Sequence, residues 1–294
     1  MHQLLVALCC IGGFSTTAHA QHLEIGPAFG VINYLGDLSG NSLEATQYNV
    51  SLGLQGRYHL SATWALGLQA NGGTITGSDR YSGNRRRNLS VQTFLVEAIA
   101  QVEYRPFQLA VLDGRHLLSP YLAVGAGAFY FNPRAEWNGR YIELQPLGTE
   151  GQGMPGYADH YRRIAPVIPV NAGMEMRINE RSAVGFALGF RKTFTDYLDD
   201  VSGAYPVRDD MMAADRKLAY QLAYRTPEYD ERAPAAMTGM RGNPDNVDNY
   251  LFAQAHYTVV LGGARTTTSG LSPRRAKGKP TGRLFYTPST YYGF

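Results

Sequence analysis

Cysteine is almost absent from this sequence of 294 residues. Its two cysteines, Cys9 and Cys10, lie within residues 1–20, where a short apolar stretch precedes a small-x-small cleavage site at Ala20. That arrangement is typical of a secretory signal peptide. A lipoprotein would need a small residue directly before its lipidated cysteine, a requirement that Leu8 does not meet. The exported, thiol-free mature chain therefore excludes disulfides and zinc–thiolate sites.

Long apolar runs and dense charge are missing as well. The sequence contains no apolar run long enough for a transmembrane helix. Charged residues make up 17% of the chain, which instead holds 33 glycines and 20 tyrosines. This composition is unusual for a soluble enzyme and fits a β-barrel wall, in which only alternate residues must be apolar. No His-x-x-x-His pair and no nucleophile elbow occurs, so the sequence predicts no catalytic residue, cofactor or metal site.

Alternation is the strongest pattern that the chain does contain. From Tyr48 to Leu60, apolar residues recur at alternate positions, opposite a polar face that includes Gln55 and Arg57. Period two predicts a strand with one face in an apolar medium and the other in a polar one. A helix is predicted at residues 209–224, because acidic residues open the segment and apolar residues recur three and four apart. Further strands are predicted at residues 22–37, 64–76, 89–106, 118–137, 164–179, 183–195 and 249–263.

The connections between the eight predicted strands alternate between long and short. Outer-membrane barrels show the same asymmetry, with long loops outside the cell and short turns in the periplasm. We therefore predict an all-β fold: an eight-stranded antiparallel transmembrane barrel over residues 21–263, in the outer membrane of a Gram-negative bacterium and in contact with its lipids. A barrel of this size is filled by its own side chains, so a conducting pore is not expected.

Charged residues recur on the polar faces of the predicted strands. They could form a lumen that binds a charged ligand, or they could neutralise one another as a salt-bridged plug. Because an unpaired buried charge is unfavourable, the plug is the favoured interpretation. The residues concerned are Arg57, Glu97, Glu103, Glu175, Arg177 and Arg191.

Two loops carry further clusters of charge. Asp196, Asp199 and Asp200 could bind calcium through oxygen ligands, although their spacing is not that of an EF-hand. A hydrogen-bonded cap at the barrel rim is the favoured alternative. The run from Arg85 to Arg87 could contact lipopolysaccharide phosphates or could be a solvated loop.

Residues 264–294 form a basic tail that lacks acidic residues and is predicted to be periplasmic. Export excludes nucleic acid as its partner, so the positive charge suggests an acidic protein or anionic headgroups. The alternative is a disordered tail, because the segment is poor in aliphatic residues. The residues assigned to partner binding are Arg274, Arg275, Lys277, Lys279 and Arg283.

Three motifs in a fixed order carry a family resemblance. They are Asn33, Tyr34, Gly36 and Asp37, then Asp196, Tyr197, Asp199 and Asp200, and finally Arg241, Gly242 and Pro244. Together they resemble the PorG-like outer-membrane barrels of Bacteroidetes, which belong to the type IX secretion system and related gliding machinery. The resemblance implies a non-enzymatic outer-membrane subunit linked to periplasmic ring components, both lipoprotein and soluble. The basic tail matches no motif of that family.

Two other functions remain as alternatives. A stand-alone small barrel could act through its long loops as an adhesin or envelope stabiliser. An outer-membrane lipid hydrolase would need a serine–histidine pair near one rim, for which the sequence offers no supporting motif.

Overall fold

The computed structural model describes residues 22–39, 47–111 and 116–261. The predicted signal peptide and the basic tail with its partner-binding residues lie outside this part of the chain, so those predictions remain predictions. The described elements are β1 (Leu23–Leu35), β2 (Asn49–His59), β3 (Trp64–Ser78), β4 (Ser90–Tyr104), β5 (Leu109–Val111), β6 (His116–Trp137), β7 (Arg140–Glu143), β8 (Ile164–Asn179), β9 (Ser182–Thr193), α1 (Arg208–Ala213), α2 (Lys217–Ala223), α3 (Thr226–Tyr229) and β10 (Asn249–Leu261).

Eight of these strands close into an antiparallel barrel, which confirms the predicted fold. Each long strand pairs with its neighbours in the chain, in the order β4, β3, β2, β1, β10, β9, β8 and β6. The first and last strands meet along a seam that runs from Leu23 opposite Leu261 to Leu35 opposite Asn249. The circle is completed where β4 pairs with β6. The eight predicted strands all occur, and their ends shift by a few residues.

Two short strands lie in connections that were predicted to be loops. β7 folds back on the far end of β6, with Trp137 opposite Arg140, and so extends a hairpin beyond the barrel. At the other end, β5 pairs with the start of β6. Neither segment alternates for long enough to be recognised as a strand, because each pairs along one edge only.

The outer and inner faces of the wall differ sharply in polarity. Leu54 and Leu68 are 62% and 67% exposed, whereas Arg57 and Glu97 are 2% and 1% exposed. An apolar belt around a charged interior is stable only where hydrocarbon surrounds the belt. The protein is therefore a multi-pass β-barrel of the Gram-negative outer membrane. In the predicted orientation its short turns are periplasmic and its long loops are extracellular. Within the described residues, no helix has the length and apolar character needed to cross a membrane.

The helix predicted at residues 209–224 is wrong in one respect, because it is broken into α1 and α2. Asp215 adopts a left-handed conformation with φ of 56°. The amide of Arg216 donates to the carbonyl of Met211 at 2.8 Å, and the amide of Asp215 donates to that of Met212 at 3.1 Å. This pair of bonds is the Schellman arrangement that ends a helix. The break lets Met211 and Tyr220 pack together against Met154 in a small core outside the barrel.

Candidate functional site

The periplasmic half of the interior is a network of ion pairs centred on Arg57. Its guanidinium lies 3.0 Å from Glu24, 2.8 Å from Glu103 and 2.5 Å from Glu175. Arg105 contacts Glu103 and Glu175 as well, at 3.2 and 3.1 Å. Because every one of these carboxylates has a guanidinium beside it, the structure favours the salt-bridged plug over a charged binding lumen.

A second network fills the middle of the barrel around Glu97. Its carboxylate accepts hydrogen bonds from Asn71 at 2.8 Å, from Arg191 at 3.0 Å and from Tyr250 at 2.8 Å. Arg191 also donates to Asn171 at 2.8 Å. Both oxygens of a fully buried carboxylate are thereby satisfied, which a buried charge requires.

An apolar layer separates this network from the extracellular mouth. Phe129, Phe131 and Ile32 are almost completely buried there, together with Leu198 from the loop that follows β9. The backbone carbonyl of Leu198 accepts a hydrogen bond of 2.6 Å from the hydroxyl of Thr93 on the wall. The loop therefore dips into the barrel, and its aspartates lie directly above the apolar layer.

We call the polar assembly above this layer the cap; it is built from the three sequence motifs and the residues that they contact. The phenol of Tyr34 lies 2.6 Å from Asp199 and 2.8 Å from Asp248, both of which are fully buried. Burial raises the pKa of Asp199 to about 7. Burial, reinforced by the charges of Asp199 and Asp196, also raises the pKa of Asp248 well above its ordinary value. One phenol proton cannot serve both carboxylates at once, and burial favours the protonated form of these two acids.

The first and third motifs are joined through Asp37. Its carboxylate accepts hydrogen bonds from the backbone amide of Asn243 at 2.5 Å and from the side chain of Asn246 at 3.1 Å. The two motif glycines, Gly36 and Gly242, lie where neighbouring side chains leave no room for a Cβ atom. A Cβ on Gly36 would overlap Asp248 and the Tyr34 phenol, and one on Gly242 would lie 2.6 Å from Asp37.

The second and third motifs are joined through Arg241, which is 3% exposed. Its guanidinium lies 3.0 Å from Glu150 and 3.7 Å from Asp200, and it also donates to the carbonyls of Asp200 and Ala223. Burial raises the pKa of Asp200 to about 6 even though Arg241 opposes that shift. The arginine is thus the principal counter-charge for the acidic half of the cap.

The remaining motif residues occupy more varied positions. Asn33 is buried, and neither polar atom of its side chain has a hydrogen-bond partner among the described residues. The ring of Tyr197 stacks on that of Tyr161, with 4.4 Å between their centroids. Pro244 is exposed in a turn closed by the amide of Asn246 and the carbonyl of Asn243.

Asp196 is the residue of the second motif whose carboxylate lies outside the hydrogen-bonded cap. It is 8% exposed, and neither of its oxygens makes a well-aligned hydrogen bond with a described residue. Burial raises its pKa to about 8, although the nearby Ser202 hydroxyl opposes the shift. The other two aspartates of the motif make different contacts. Asp199 contacts Tyr34, and Asp200 contacts Tyr161 and Arg241. This divergence favours the hydrogen-bonded cap over the alternative calcium site.

The basic run from Arg85 to Arg87 is divided in the structure. Arg85 and Arg86 are exposed, whereas Arg87 bonds Asp79 at 2.6 Å and donates to the carbonyl of Arg241. Arg87 therefore supports the cap instead of facing lipopolysaccharide. Sequence reasoning also missed Glu150, which the cap uses to bind Arg241. No local pattern marks Glu150, because its partner is distant in the chain.

Part of the chain matches a known sequence family. A family model described as "Domain of unknown function (DUF6089)" matches residues 2–215. The chain belongs to the DUF6089 family. The matched segment of this DUF6089 protein includes the first two motifs and Glu150, and it ends before Arg241 and β10. No curated protein sequence matches the chain significantly.

Solved structures of small outer-membrane barrels are similar in general form. OprG of Pseudomonas aeruginosa aligns with a TM-score of 0.41 at 10% identity, covering 83% of this chain and 98% of that one. Neisserial surface protein A (NspA) aligns with a TM-score of 0.39 at 7% identity, covering 81% and 96%. Ail of Yersinia pestis, solved with the heparin analogue sucrose octasulfate, aligns with a TM-score of 0.32 at 10% identity, covering 82% and 98%. The closed pairing of eight strands establishes the fold of this chain.

Proposed function

We propose that this barrel is a non-enzymatic, integral subunit of a type IX protein secretion complex or of a related gliding-motility complex, and that it anchors periplasmic ring components to the outer membrane. The observation that carries the proposal is the cap. The three motifs behind the resemblance to PorG-like proteins are far apart in the chain, yet Asp37, Asp200 and Arg241 belong to one connected assembly. A match that forms one physical unit is more specific than three separate short motifs.

The filled interior supports an anchoring role over a transport role. The networks around Arg57 and Glu97 occupy two levels of the lumen, and an apolar layer with Leu198 occupies a third. A barrel filled in this way acts through the surfaces that it presents on either side of the membrane. On the periplasmic side these are the short turns and, by prediction, the basic tail.

Native co-purification tests the proposal. The protein would carry a C-terminal affinity tag at its chromosomal locus, and an unrelated outer-membrane barrel with the same tag would serve as the control. We expect a periplasmic ring lipoprotein and its soluble companion to be recovered with the tagged protein only, and we expect deletion of the gene to leave type IX cargo unsecreted. Recovery of the barrel alone, with normal secretion in the deletion strain, would contradict the proposal.

A tail variant locates the contact. Replacing Arg274, Arg275, Lys277 and Lys279 by glutamine removes positive charge that would steer an acidic partner, so we expect weaker co-purification, most clearly at low salt where screening is slight. Truncation after Gly263 should give a folded barrel without its partner. If the truncated protein keeps its partner, docking occurs on the periplasmic turns.

A second candidate is a stand-alone adhesin that binds through its extracellular side. It is favoured by large apolar side chains exposed on the loops, among them Val207, Tyr229 and Met240, which are 57%, 60% and 59% exposed. Exposed apolar groups of this kind occur at protein-binding surfaces. Under this alternative, substituting all three by serine would abolish surface adhesion and leave secretion unchanged, whereas the anchoring proposal expects no loss of adhesion.

A further inference from the structure

Three side chains with metal-binding chemistry meet at the periplasmic mouth of the barrel. His22 directly precedes β1, Glu24 follows two residues later, and His59 is the last residue of β2. Positions two apart on a strand share a face, so His22 and Glu24 point the same way. The backbone amide of His59 donates to the carbonyl of His22 at 3.1 Å, which holds the two histidines opposite each other on paired strands.

The donor atoms of the three residues converge. His22 Nε2 lies 3.1 Å from Glu24 Oε1, and His59 Nε2 lies 3.2 Å from Glu24 Oε2. The imidazole rings stack with 4.2 Å between centroids and 15° between planes. One donor atom from each residue can be chosen so that all lie within 4.8 Å of one another. A single ion could therefore contact all three with small side-chain rotations.

One of these atoms is left without a good hydrogen bond. His59 is 8% exposed, and its Nε2 has no aligned hydrogen-bond partner among the described residues despite its closeness to Glu24. Buried polar atoms are usually satisfied, and an exception requires an explanation such as an ion. This nitrogen lies 3.2 Å from Glu24 Oε2 without the alignment of a good hydrogen bond, so it is available to an ion held between the two side chains.

We propose that His22, Glu24 and His59 form a binding site for a divalent transition-metal ion of the zinc class. Two imidazoles and one carboxylate make up a common protein ligand set for Zn²⁺, which accepts a fourth ligand from solvent. The side chain of His22 is 21% exposed, so water can reach that position from the periplasm. Calcium and magnesium are excluded as the natural occupants because they require oxygen ligands.

Two arginines compete with the metal for Glu24. Arg57 lies 3.0 Å from Oε2 and Arg177 lies 2.7 Å from Oε1. Arg57 can remain in place because Glu103 and Glu175 also neutralise it. The Arg177 side chain is 31% exposed at the rim, so it can swing towards solvent when an ion approaches. Metal binding therefore exchanges one rim ion pair for coordination bonds, and Arg177 sets the affinity.

A metal titration of the mature full-length protein tests this site. The protein would be isolated from outer membranes in detergent without a polyhistidine tag and titrated with Zn²⁺ against a chromophoric zinc indicator. We expect one ion per chain, and we expect affinity to fall by roughly tenfold or more in Glu24→Gln and in His59→Gln, because loss of even a group that supports a ligand commonly has that effect. Arg177→Gln should bind more tightly, because the competing cation is gone. His256→Gln is the matched control, since that imidazole is also luminal but lies 3.5 Å from Glu175 instead.

Two outcomes would overturn the proposal. One is the absence of stoichiometric Zn²⁺ binding to the wild-type protein. The other is binding that survives both Glu24→Gln and His59→Gln, because the ion must then sit elsewhere. If either luminal variant fails to show heat-modifiable migration on gels, His22→Gln replaces it, since that residue precedes the barrel strand. Co²⁺ substitution adds a readout of coordination: the visible absorption of a nitrogen- and oxygen-ligated ion should appear in the wild type and disappear in His22→Gln.

Discussion

Replacing Arg241 by methionine should open the cap without unfolding the barrel. Methionine keeps most of the side-chain volume but removes the guanidinium that lies 3.0 Å from Glu150 and 3.7 Å from Asp200. Both carboxylates are buried, at 6% and 0% side-chain exposure, so the change leaves negative charge in the cap without its main counter-ion. Removing one partner of a buried ion pair typically costs about 3–5 kcal/mol.

The predicted cost depends on pH. With Arg241 in place, burial already raises the pKa of Asp200 from its ordinary 3.8 to about 6. Arg241 is the largest opposing influence on that value, so its loss should raise the pKa further. A carboxyl whose folded pKa is raised stabilises the fold fully below its unfolded pKa, and this contribution is lost as the pH rises through the folded pKa. The defect of the variant should therefore be largest above about pH 7 and smallest in acid, below about pH 4.

Proteinase K cleavage of the detergent-solubilised barrel measures cap opening, because cleavage of a transiently opened segment follows the population of the open form. At pH 8 we expect Arg241→Met to be cleaved between β9 and β10 roughly 100-fold faster than the wild type, since about 3 kcal/mol corresponds to that ratio. Glu150→Gln added to the variant should recover part of the loss through coupling of about 0.5–3 kcal/mol. Equal cleavage of wild type and Arg241→Met at pH 8, with the barrel intact, would refute the role assigned to the arginine.

Three further predictions concern the wall, the topology and the tightest turn. Leu54→Arg places a charge on the lipid face and should lower the free energy of unfolding in urea by about 2–4 kcal/mol if it lies near the midplane. Gln55→Arg, on the luminal face, should lower it by less. Equal effects of the two substitutions would mean that the faces are misassigned. Gly83→Cys should react with an impermeant maleimide on intact cells, whereas Glu180→Cys should react only after the outer membrane is permeabilised. The reverse pattern would invert the topology. Gly36→Ala should accelerate cap proteolysis while heat-modifiable migration is kept, because a Cβ there overlaps Asp248 and Tyr34.

The wall of the barrel could be predicted from the sequence because the membrane imposes its pattern directly. Lipid contacts one side of each strand and the crowded lumen contacts the other, so alternation from Tyr48 to Leu60 is enough to identify β2 and both of its faces. The elements that were predicted wrongly lie outside the membrane-spanning strands, where lipid no longer imposes this alternation. β7 pairs along a single edge above the membrane, and the break at Asp215 is set by packing of α1 and α2 in the cap.

The candidate site could be predicted only as a set of motif residues, without their contacts. Asp37 and Arg241 stood out in the sequence, but the bond from Asp37 to Asn243 joins positions that lie 206 residues apart. Contacts of that separation leave no periodic signal along the chain. The proposed metal site of His22, Glu24 and His59 could not be predicted from the sequence for the same reason. Its ligands come from two strands and match no single local spacing.

The barrel wall and the cap place different demands on the sequence of the final segment. The family match ends at residue 215, yet β10 must pair with β1 for the barrel to close at all. Closure requires only a strand of suitable length and alternation, which many sequences supply. The cap requires more, since Tyr34, Asp37 and Asp200 lie in the matched segment while their partners Asp248, Asn243 and Arg241 lie beyond it. A relative that closes its barrel with a different final segment would keep the fold but leave Tyr34, Asp37 and Asp200 without these partners. The cap therefore depends on residues from both parts of the chain more strictly than the barrel does.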